Sequence, residues 1–227
     1  MVTLYIANKN YSSWSLRPWL LMRQLGIPFQ EVLLPFGDEP AWAPFRALNP
    51  SGKVPCLIDG GALIWDSMGI TEHLADRHPG VWPDDPERRS WARCAAAEMH
   101  AGFAQLRSTC SMSVGVRVAL HARPPALERD LARLGALWRE GLDRFGGPFL
   151  AGPEFTAVDA FYAPVAFRML TYGLSLSPES DAYASRLRAL PAMVDWYQAG
   201  LAETFRDAAH EDDLPLAGVL VADLRAT

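Results

Sequence analysis

An apolar run, a short polar loop and a second apolar run open this chain, and their order restricts how it can fold. Residues 2–6 combine β-branched and aromatic side chains, a pattern typical of a buried strand. Residues 15–25 predict a helix, for which Gly26 is a suitable C-terminal cap. In the loop, Ser12 and Ser13 place hydroxyl groups where the first backbone N–H groups of the helix have no partner within it. Because a helix N-terminus favours negative charge, the sequence predicts an anion site here, for example for a thiolate.

The segment that follows predicts a small α/β domain. Residues 29–34 read as a second strand, and a β-α-β unit joins parallel strands. The turn sequence Asp59-Gly60-Gly61 predicts a hairpin between strands at 54–58 and 62–65. A helix at 67–77, ended by a Pro-Gly pair, completes the order β-α-β-β-β-α.

The remainder of the chain has a helical pattern. Residues 81–86 predict a linker, which ends in an acidic cap with proline at the first helical position. Thr156 and Asp159 have the spacing of a capping box, which we interpret as a folding signal without a chemical role. The predicted helices lie at 86–109, 125–145, 155–170, 181–189 and 192–208, and the tail from 212 carries no clear pattern.

Composition argues against several classes of function. The chain has 227 residues, enough for two domains, and a formal net charge of −5, which argues against nucleic acid or an anionic membrane as a partner. Its three cysteines form no Cys-x-x-Cys pair or Cys/His cluster, so neither a metal site nor a disulfide framework is expected. Free thiols fit a reducing cytoplasm, and no apolar run approaches the ~18 residues that span a bilayer. We therefore expect a cytoplasmic protein without a metal.

Three local features of the first domain are expected at the same end of its sheet. Ser12-Ser13 offers hydroxyl groups at a helix N-terminus, and Val54-Pro55 leaves backbone groups unpaired at the start of a strand. Asp66-Ser67 opens another helix with a carboxylate and a hydroxyl. Together they provide a donor for a thiolate, a backbone partner for a peptide and an anion site for a carboxylate. This combination suits glutathione.

On these residues the chain resembles the cytosolic glutathione transferases over nearly its whole length. The loop from Ser12 to Arg17 is similar to the Ser-Ser-Cys-Ser-x-Arg motif of the zeta class, the maleylacetoacetate isomerases, with Trp14 in place of the cysteine. The resemblance implies a bacterial, zeta-like protein of the serine type. It also implies a thioredoxin-like βαβ-ββα domain over residues 1–80 and an all-helical substrate domain over residues 86–227.

The resemblance also implies roles for individual residues. Ser12 falls on the serine that activates the thiol and Ser13 is its neighbour, and which of the two acts stays open. Glutathione would be bound by Ser12, Lys53, Val54, Pro55, Asp66 and Ser67. The pocket for the electrophile would include Trp14, Phe103, Arg107 and Met112.

The function implied is that of a glutathione S-transferase in detoxification, acting as a cytoplasmic homodimer on a small electrophile. Two alternatives stay open. One is a glutathione-dependent cis–trans isomerase of the maleylacetoacetate type, for which Arg17 and Arg107 are the candidate cations of the cleft. The other is a binding or scaffold protein with the same fold and no turnover, since serines before helices are usually plain caps. In the transferase reading, Arg17 is interpreted as an ion-pair partner or a neighbour of the site. His100 is interpreted as a packing residue of a helix.

Overall fold

The computed structural model describes residues 1–226, and its first part is an α/β layer built on a mixed sheet. Four strands lie in the order β2-β1-β3-β4, with β1 parallel to β2 and antiparallel to β3. β4 returns beside β3 as the predicted hairpin. The elements are β1 (Thr3–Ile6), α1 (Ser13–Gln24), β2 (Gln30–Leu33), α2 (Glu39–Leu48), β3 (Cys56–Asp59), β4 (Ala62–Ile64) and α3 (Ser67–Ala75).

The second part is a bundle around one buried helix. Nearly every residue of α7 is buried, and this helix packs against α1 of the first part as well as against α4 and α8. Its core contains large aromatic side chains such as Trp138 and Tyr162. The helices are α4 (Pro86–Ala101), α5 (Ala104–Thr109), α6 (Pro125–Phe145), α7 (Ala157–Tyr172), α8 (Pro178–Ala189), α9 (Pro191–Ala202) and α10 (Ala208–Ala217). The predicted fold class, a thioredoxin-like α/β domain followed by a helical domain, is confirmed.

The prediction of one helix over 86–109 was wrong, because the helix stops at Ala101. Gly102 ends α4 by donating its N–H to the Glu98 carbonyl at 2.7 Å. Phe103 then adopts a left-handed conformation with φ of 54°, and α5 starts in a new direction. A side chain on Gly102 would approach the Glu98 carbonyl oxygen to 2.7 Å, so the close turn requires glycine.

Replacing Gly102 with alanine is expected to lower the free energy of unfolding by about 1–3 kcal/mol, the usual cost of forcing an atom into packed structure. The Gly69→Ala variant is a matched control in α3, because the nearest atom to its new methyl group is 4.0 Å away. That control should be neutral or stabilising, since alanine is favoured over glycine within a helix. Urea unfolding of both variants measures the difference, and equal stabilities would contradict a steric requirement at Gly102.

A two-stranded ribbon adds to the helical domain and was not predicted. β5 (Val116–Leu120) pairs antiparallel with β6 (Gly218–Asp223), which lies in the tail that carried no clear pattern. The helix predicted at 192–208 was likewise wrong in its extent, because α9 ends at Ala202 and α10 begins at Ala208. The ribbon brings the end of the described chain back to the first domain.

Candidate active site

The loop before α1 is held largely by residues of the second domain. The Glu203 carboxylate accepts hydrogen bonds from the backbone N–H groups of Lys9 at 2.6 Å and Asn10 at 3.1 Å. Trp196 Nε1 donates to the Lys9 carbonyl at 2.8 Å. The Asn10 side-chain oxygen accepts from the Gly115 N–H at 3.1 Å. The position of the hydroxyl groups that follow therefore depends on both domains.

Ser12 is the N-cap of α1, as the spacing of the sequence predicted. Its Oγ accepts from the Ser15 N–H at 3.4 Å and donates to Ser15 Oγ at 2.7 Å. Ser15 Oγ in turn accepts from the Ala7 N–H at 3.1 Å. The Ser12 hydroxyl is therefore fixed by a chain of hydrogen bonds that begins at buried Ala7, directly after β1.

Ser13 is the first residue of α1, and its hydroxyl has a different environment. Its side chain has no hydrogen-bond partner among residues 1–226, although Ser13 lines the same cleft as Ser12. Tyr11 also borders this cleft, but its hydroxyl donates to Glu211 at 2.6 Å. Burial and the Glu211 carboxylate raise the pKa of Tyr11 to about 12. Of the hydroxyl groups at the helix N-terminus, that of Ser13 is thus free within the described chain, while those of Ser12 and Tyr11 already donate to Ser15 and Glu211.

Two adjoining clefts meet at this helix N-terminus. The larger has a volume of about 640 Å³ and the smaller about 320 Å³. Trp14, Lys53 and Val54 line both of them, so the two clefts share a wall. The arrangement can hold an elongated ligand that extends across both clefts, with room for a second molecule in the larger one.

The smaller cleft lies over the N-terminus of α3. Asp66 caps this helix by accepting from the N–H groups of Met68 at 2.9 Å and Gly69 at 3.4 Å. Ser67 is fully buried and its Oγ has no partner in the described part of the chain. The Val54-Pro55 peptide bond is cis and leads into β3 beside the same cleft. The three features expected at one end of the sheet are thus close together, and all border these clefts.

His100 of the second domain contacts Asp66 beside this cleft. The spacing of residues within its own helix could not predict this contact. Its Nε2 lies 3.2 Å from the Asp66 carboxylate, and its ring packs edge-on against Trp14 with centroids 5.3 Å apart. Burial is the main reason why the pKa of His100 is lowered. The expected packing role is therefore accompanied by a contact between the domains.

Arg17 was interpreted as an ion-pair partner or a neighbour of the site, and it lies beside the site without an ion pair to any described residue. Within residues 1–226 no carboxylate lies within 4 Å of its guanidinium, and Nε and Nη1 are buried without hydrogen-bond partners. The guanidinium instead lies over the Trp14 ring, 4.1 Å from its centroid, and 4.9 Å from that of Phe161. Burial, followed by the charges of Arg107 and Arg168, lowers the pKa of Arg17 to about 9.

The residues predicted to contact the electrophile do not all lie in the larger cleft. Arg107 and Met112 line it together with Trp14. Phe103 does not, because its left-handed backbone turns the ring into the core against Tyr162, with centroids 6.5 Å apart. The sequence analysis missed Phe36, Trp42, Ser111, Arg168, His210 and Asp213, which line this cleft.

Of the missed residues, Arg168 left a signal in the sequence and His210 did not. Arg168 is flanked by apolar residues in the second half of α7, and a charged residue in a buried helix indicates a specific role. His210 lies in α10, where the sequence showed no pattern. Its ring stacks on Tyr11 and Phe36 with centroids 4.9 and 5.1 Å apart, and Nδ1 lies 2.5 Å from Asp207.

Residues 1–226 contain neither a metal-binding cluster nor a helix that could span a membrane. His, Cys, Asp and Glu side chains do not gather there in groups of three that could hold a metal ion. In the same range, no helix combines the length and apolar character needed to cross a bilayer.

The fold and the position of the clefts define the class of protein. Solved glutathione transferases have the same architecture, among them one from Methylococcus capsulatus with a TM-score of 0.67. It is 24% identical, and the match covers 88% of this chain and 98% of that one. A homologue from Burkholderia, described with bound glutathione, matches with a TM-score of 0.65 at 20% identity, over 88% of this chain and 97% of that one.

Sequence comparison identifies the family. Residues 11–77 match the glutathione S-transferase N-terminal domain and residues 119–199 match the C-terminal domain. The chain belongs to the glutathione S-transferase family, and the predicted superfamily and enzyme class are confirmed.

Curated relatives include members with zeta-class names. Glutathione S-transferase GstB of Escherichia coli K12 is 28% identical over 212 residues, covering 87% of this chain and 92% of GstB. A probable maleylacetoacetate isomerase of Caenorhabditis elegans is 25% identical over 227 residues, covering 95% and 96%. The predicted zeta-like relatives are therefore found.

Proposed function

We propose that this chain is a glutathione S-transferase that stabilises the glutathione thiolate with a serine hydroxyl at the N-terminus of α1. The observation that carries the proposal is that Ser12 lines the larger of two adjoining clefts, Ser67 lines the smaller and Val54 lines both. A hydroxyl donor, a strand start and an unpartnered buried hydroxyl are there within reach of one tripeptide. The electrophile would occupy the larger cleft.

In this proposal glutathione lies across the shared wall. Its γ-glutamyl end binds at the N-terminus of α3, where Ser67 Oγ has no protein partner and the helix favours a carboxylate. Val54 pairs with the backbone of the cysteinyl unit, with Pro55 fixing the chain beside it. Lys53 lines both clefts and supplies a cation for the glycyl carboxylate.

The proposed chemistry is thiolate attack. A free thiol has a pKa of about 8.5, which hydrogen-bond donors and a helix N-terminus lower. To donate to sulfur, the Ser12 hydroxyl turns away from Ser15 Oγ, which then donates to Ser12, since a hydroxyl can both donate and accept. The thiol proton leaves to solvent and the sulfur attacks the electrophile. Serine acts as a donor and never as a nucleophile.

Ser13 is the rival donor because its hydroxyl has no other partner among the described residues. The motif that the loop resembles favours Ser12. Comparison of the two alanine variants separates the roles.

An isomerase of the maleylacetoacetate type is the second candidate. Addition and elimination of the same thiolate would rotate a double bond with the same donor. Arg107 in the larger cleft favours this reading, and so do relatives named maleylacetoacetate isomerases. Trp14 in place of the motif's cysteine narrows the site beside the sulfur and favours the transferase. A cytoplasmic homodimer acting in detoxification remains part of the proposal, on the ground of family resemblance.

Calorimetric titration with glutathione and with an S-alkylated glutathione tests the proposal. Both should bind in the micromolar-to-millimolar range, and Ser67→Ala should weaken both by about tenfold, the value of a hydrogen bond to a charged group. Ser90→Ala is the matched control, since Ser90 is an exposed serine on α4 whose Oγ donates only to Pro86 O. Absence of binding by the wild-type protein would favour a scaffold role.

A further inference from the structure

Three arginines lie close together around the larger cleft without carboxylate partners. Within residues 1–226, Arg17, Arg107 and Arg168 have no carboxylate oxygen within 4 Å, and Arg17 and Arg168 are buried, so that solvent does not take the place of a counter-ion. Arg107 and Arg168 line the cleft, and Arg17 lies behind its Trp14 wall. A cluster of like charges without a counter-ion is costly in a partly dehydrated site.

The bonds that these guanidinium groups do make leave donors free. Arg168 is 4% exposed and its Nη1 donates to the carbonyl of Cys110, while Nε is buried without a partner. Arg107 Nη1 donates to the His100 carbonyl at 3.3 Å, and its guanidinium lies 5.0 Å from the Trp14 ring centroid. Carbonyl oxygens and aromatic rings carry no net charge. They hold the arginines in place but do not neutralise them.

The neighbouring acids of the described chain form no ion pair with these arginines, although the charge of Asp130 acts to raise the pKa of Arg107 and that of Asp66 acts to raise the pKa of Arg17. Asp66 is engaged by His100 and by the α3 backbone, and the Asp130 carboxylate accepts from the Leu106 N–H at 2.9 Å. Asp213 borders the cleft from α10 but lies beyond 4 Å from every described arginine. Burial raises the pKa of the Cys110 thiol to about 11, so it is neutral at pH 7.

The arginines also feel each other's charge. Burial lowers the pKa of Arg168 to about 10, and the charge of Arg107 lowers it as well. Both remain protonated at neutral pH. A cleft of one sign with low-dielectric walls concentrates ions of the opposite sign.

We propose that the electrophile is a carboxylate, such as a small aromatic or unsaturated acid, whose anionic group is bound by Arg107 and Arg168. Its apolar body lies against Trp14 and Met112, which face the same cleft. The proposal rests on the proposed function for the reaction and on the arginines alone for the binding.

A chloronitrobenzoate illustrates the reaction. The glutathione sulfur forms a bond to the ring carbon that carries chlorine, the C–Cl bond breaks and chloride leaves with its electron pair. The thiol proton goes to solvent, and no oxidant or reductant takes part. The carboxylate is unchanged, so the arginines bind and orient it throughout.

The first test compares two electrophiles, 4-chloro-3-nitrobenzoate and its neutral amide. Each kcat/KM is divided by the uncatalysed rate with glutathione, and the ratio of the two values measures the preference for the anion. Wild-type protein should favour the carboxylate. Arg107→Gln and Arg168→Gln should each reduce the ratio by about tenfold or more, as expected for loss of a charge-assisted hydrogen bond. Arg107→Lys should keep most of it.

Arg139→Gln is the control, because it removes one positive charge from the exposed surface of α6. It should leave the ratio unchanged. Thermal unfolding of each variant shows whether it is folded, and Arg107→Gln carries the test if Arg168→Gln is not. An equal preference for acid and amide in the wild-type protein would overturn the proposal.

Two further experiments distinguish failure of the anion site from failure of the proposed transferase function. Calorimetry with 3-nitrobenzoate and 3-nitrobenzamide, without glutathione, should show Arg107-dependent binding of the acid alone. That result supports the anion site even if glutathione fails to bind and the proposed function falls. In the other arm, glutathione is replaced by its glycyl ethyl ester. If Arg107→Gln changes the KM of glutathione but not that of the ester, the bound anion is the glycyl carboxylate and the proposal is wrong.

Discussion

Replacement of Asp159 by alanine is expected to lower the free energy of unfolding by about 3 kcal/mol. The carboxylate is buried at the start of α7 and accepts from the N–H groups of Leu150 at 3.0 Å and Thr156 at 2.9 Å. It also accepts from the Tyr183 hydroxyl at 2.8 Å. Each buried donor left without a partner costs about 1 kcal/mol or more, so the three together exceed an ordinary cap. Urea unfolding followed by circular dichroism measures the loss.

Asp85→Ala is the matched control for this variant. Asp85 caps α4 by accepting from the Arg88 N–H at 2.8 Å, but it is exposed. Its loss should cost only about 1 kcal/mol, the usual value of an N-cap. Equal losses in the two variants would show that burial adds nothing at Asp159.

The same carboxylate should make stability depend on pH in an unusual direction. Burial raises the pKa of Asp159 to about 6, against about 3.9 in an unfolded chain. The folded state therefore holds this proton to higher pH than the unfolded state. Its contribution is fully present below the unfolded pKa and is lost as pH rises through about 6. The stability advantage over Asp159→Asn should thus be larger at pH 4 than at pH 7, by about 2 kcal/mol.

Replacement of Ser12 by alanine is expected to lower kcat/KM by about 100-fold while changing the glutathione Kd by less than about threefold. A single donor aimed at a developing negative charge is worth this much in a preorganised site. The structural reason is that Ser15 Oγ, held by the Ala7 N–H, can donate to Ser12 Oγ and so leave the Ser12 proton for the sulfur. The pKa of the thiol of bound glutathione should rise toward that of free glutathione, as measured by the ultraviolet absorbance of the thiolate.

The loss of a helix cap in Ser12→Ala can be distinguished from the loss of a catalytic donor by a second serine pair in the same protein. Ser177 caps α8 with the same geometry, accepting from the Ser180 N–H and bonding to its Oγ, both at 3.2 Å. Ser177→Ala should lose the stability of a cap, about 1 kcal/mol, and keep full activity. Ser13→Ala completes the set. Full activity in Ser12→Ala with a loss in Ser13→Ala would assign the donor role to Ser13.

Local sequence signals predicted most of the first domain, except α2, because its other elements are marked by their own residues. The strand predicted at 2–6 is found at Thr3–Ile6, and the hairpin turn at Asp59-Gly60-Gly61 joins β3 to β4. Helix starts at Asp66 and Asp85 were likewise marked by their caps. In each case the partners of the key residue lie within a few positions along the chain.

Features that depend on distant residues could not be predicted in this way. Residues 116–120 pair with strand 218–223 across about half of the sequence, and neither segment shows alternation strong enough to identify it alone. Phe103 is left-handed because of packing, a conformation that its residue type disfavours. Arg168 and His210 reach the cleft only through the arrangement of α7 and α10. The site thus combines a locally marked loop with walls set by tertiary contacts.

The hydrogen bonds from Glu203, Trp196 and Gly115 to the loop at Lys9 and Asn10 restrict how this protein can be recombined. A thioredoxin-like domain transferred alone onto another helical domain would carry its serines but lose the groups that hold their loop. Exchange of whole domains between relatives would then preserve the fold of each domain but disturb the loop that carries the serines. A compatible exchange must move the loop together with the C-terminal residues that bind it. The residues on both sides of this contact between the domains must therefore be kept together for the site to work.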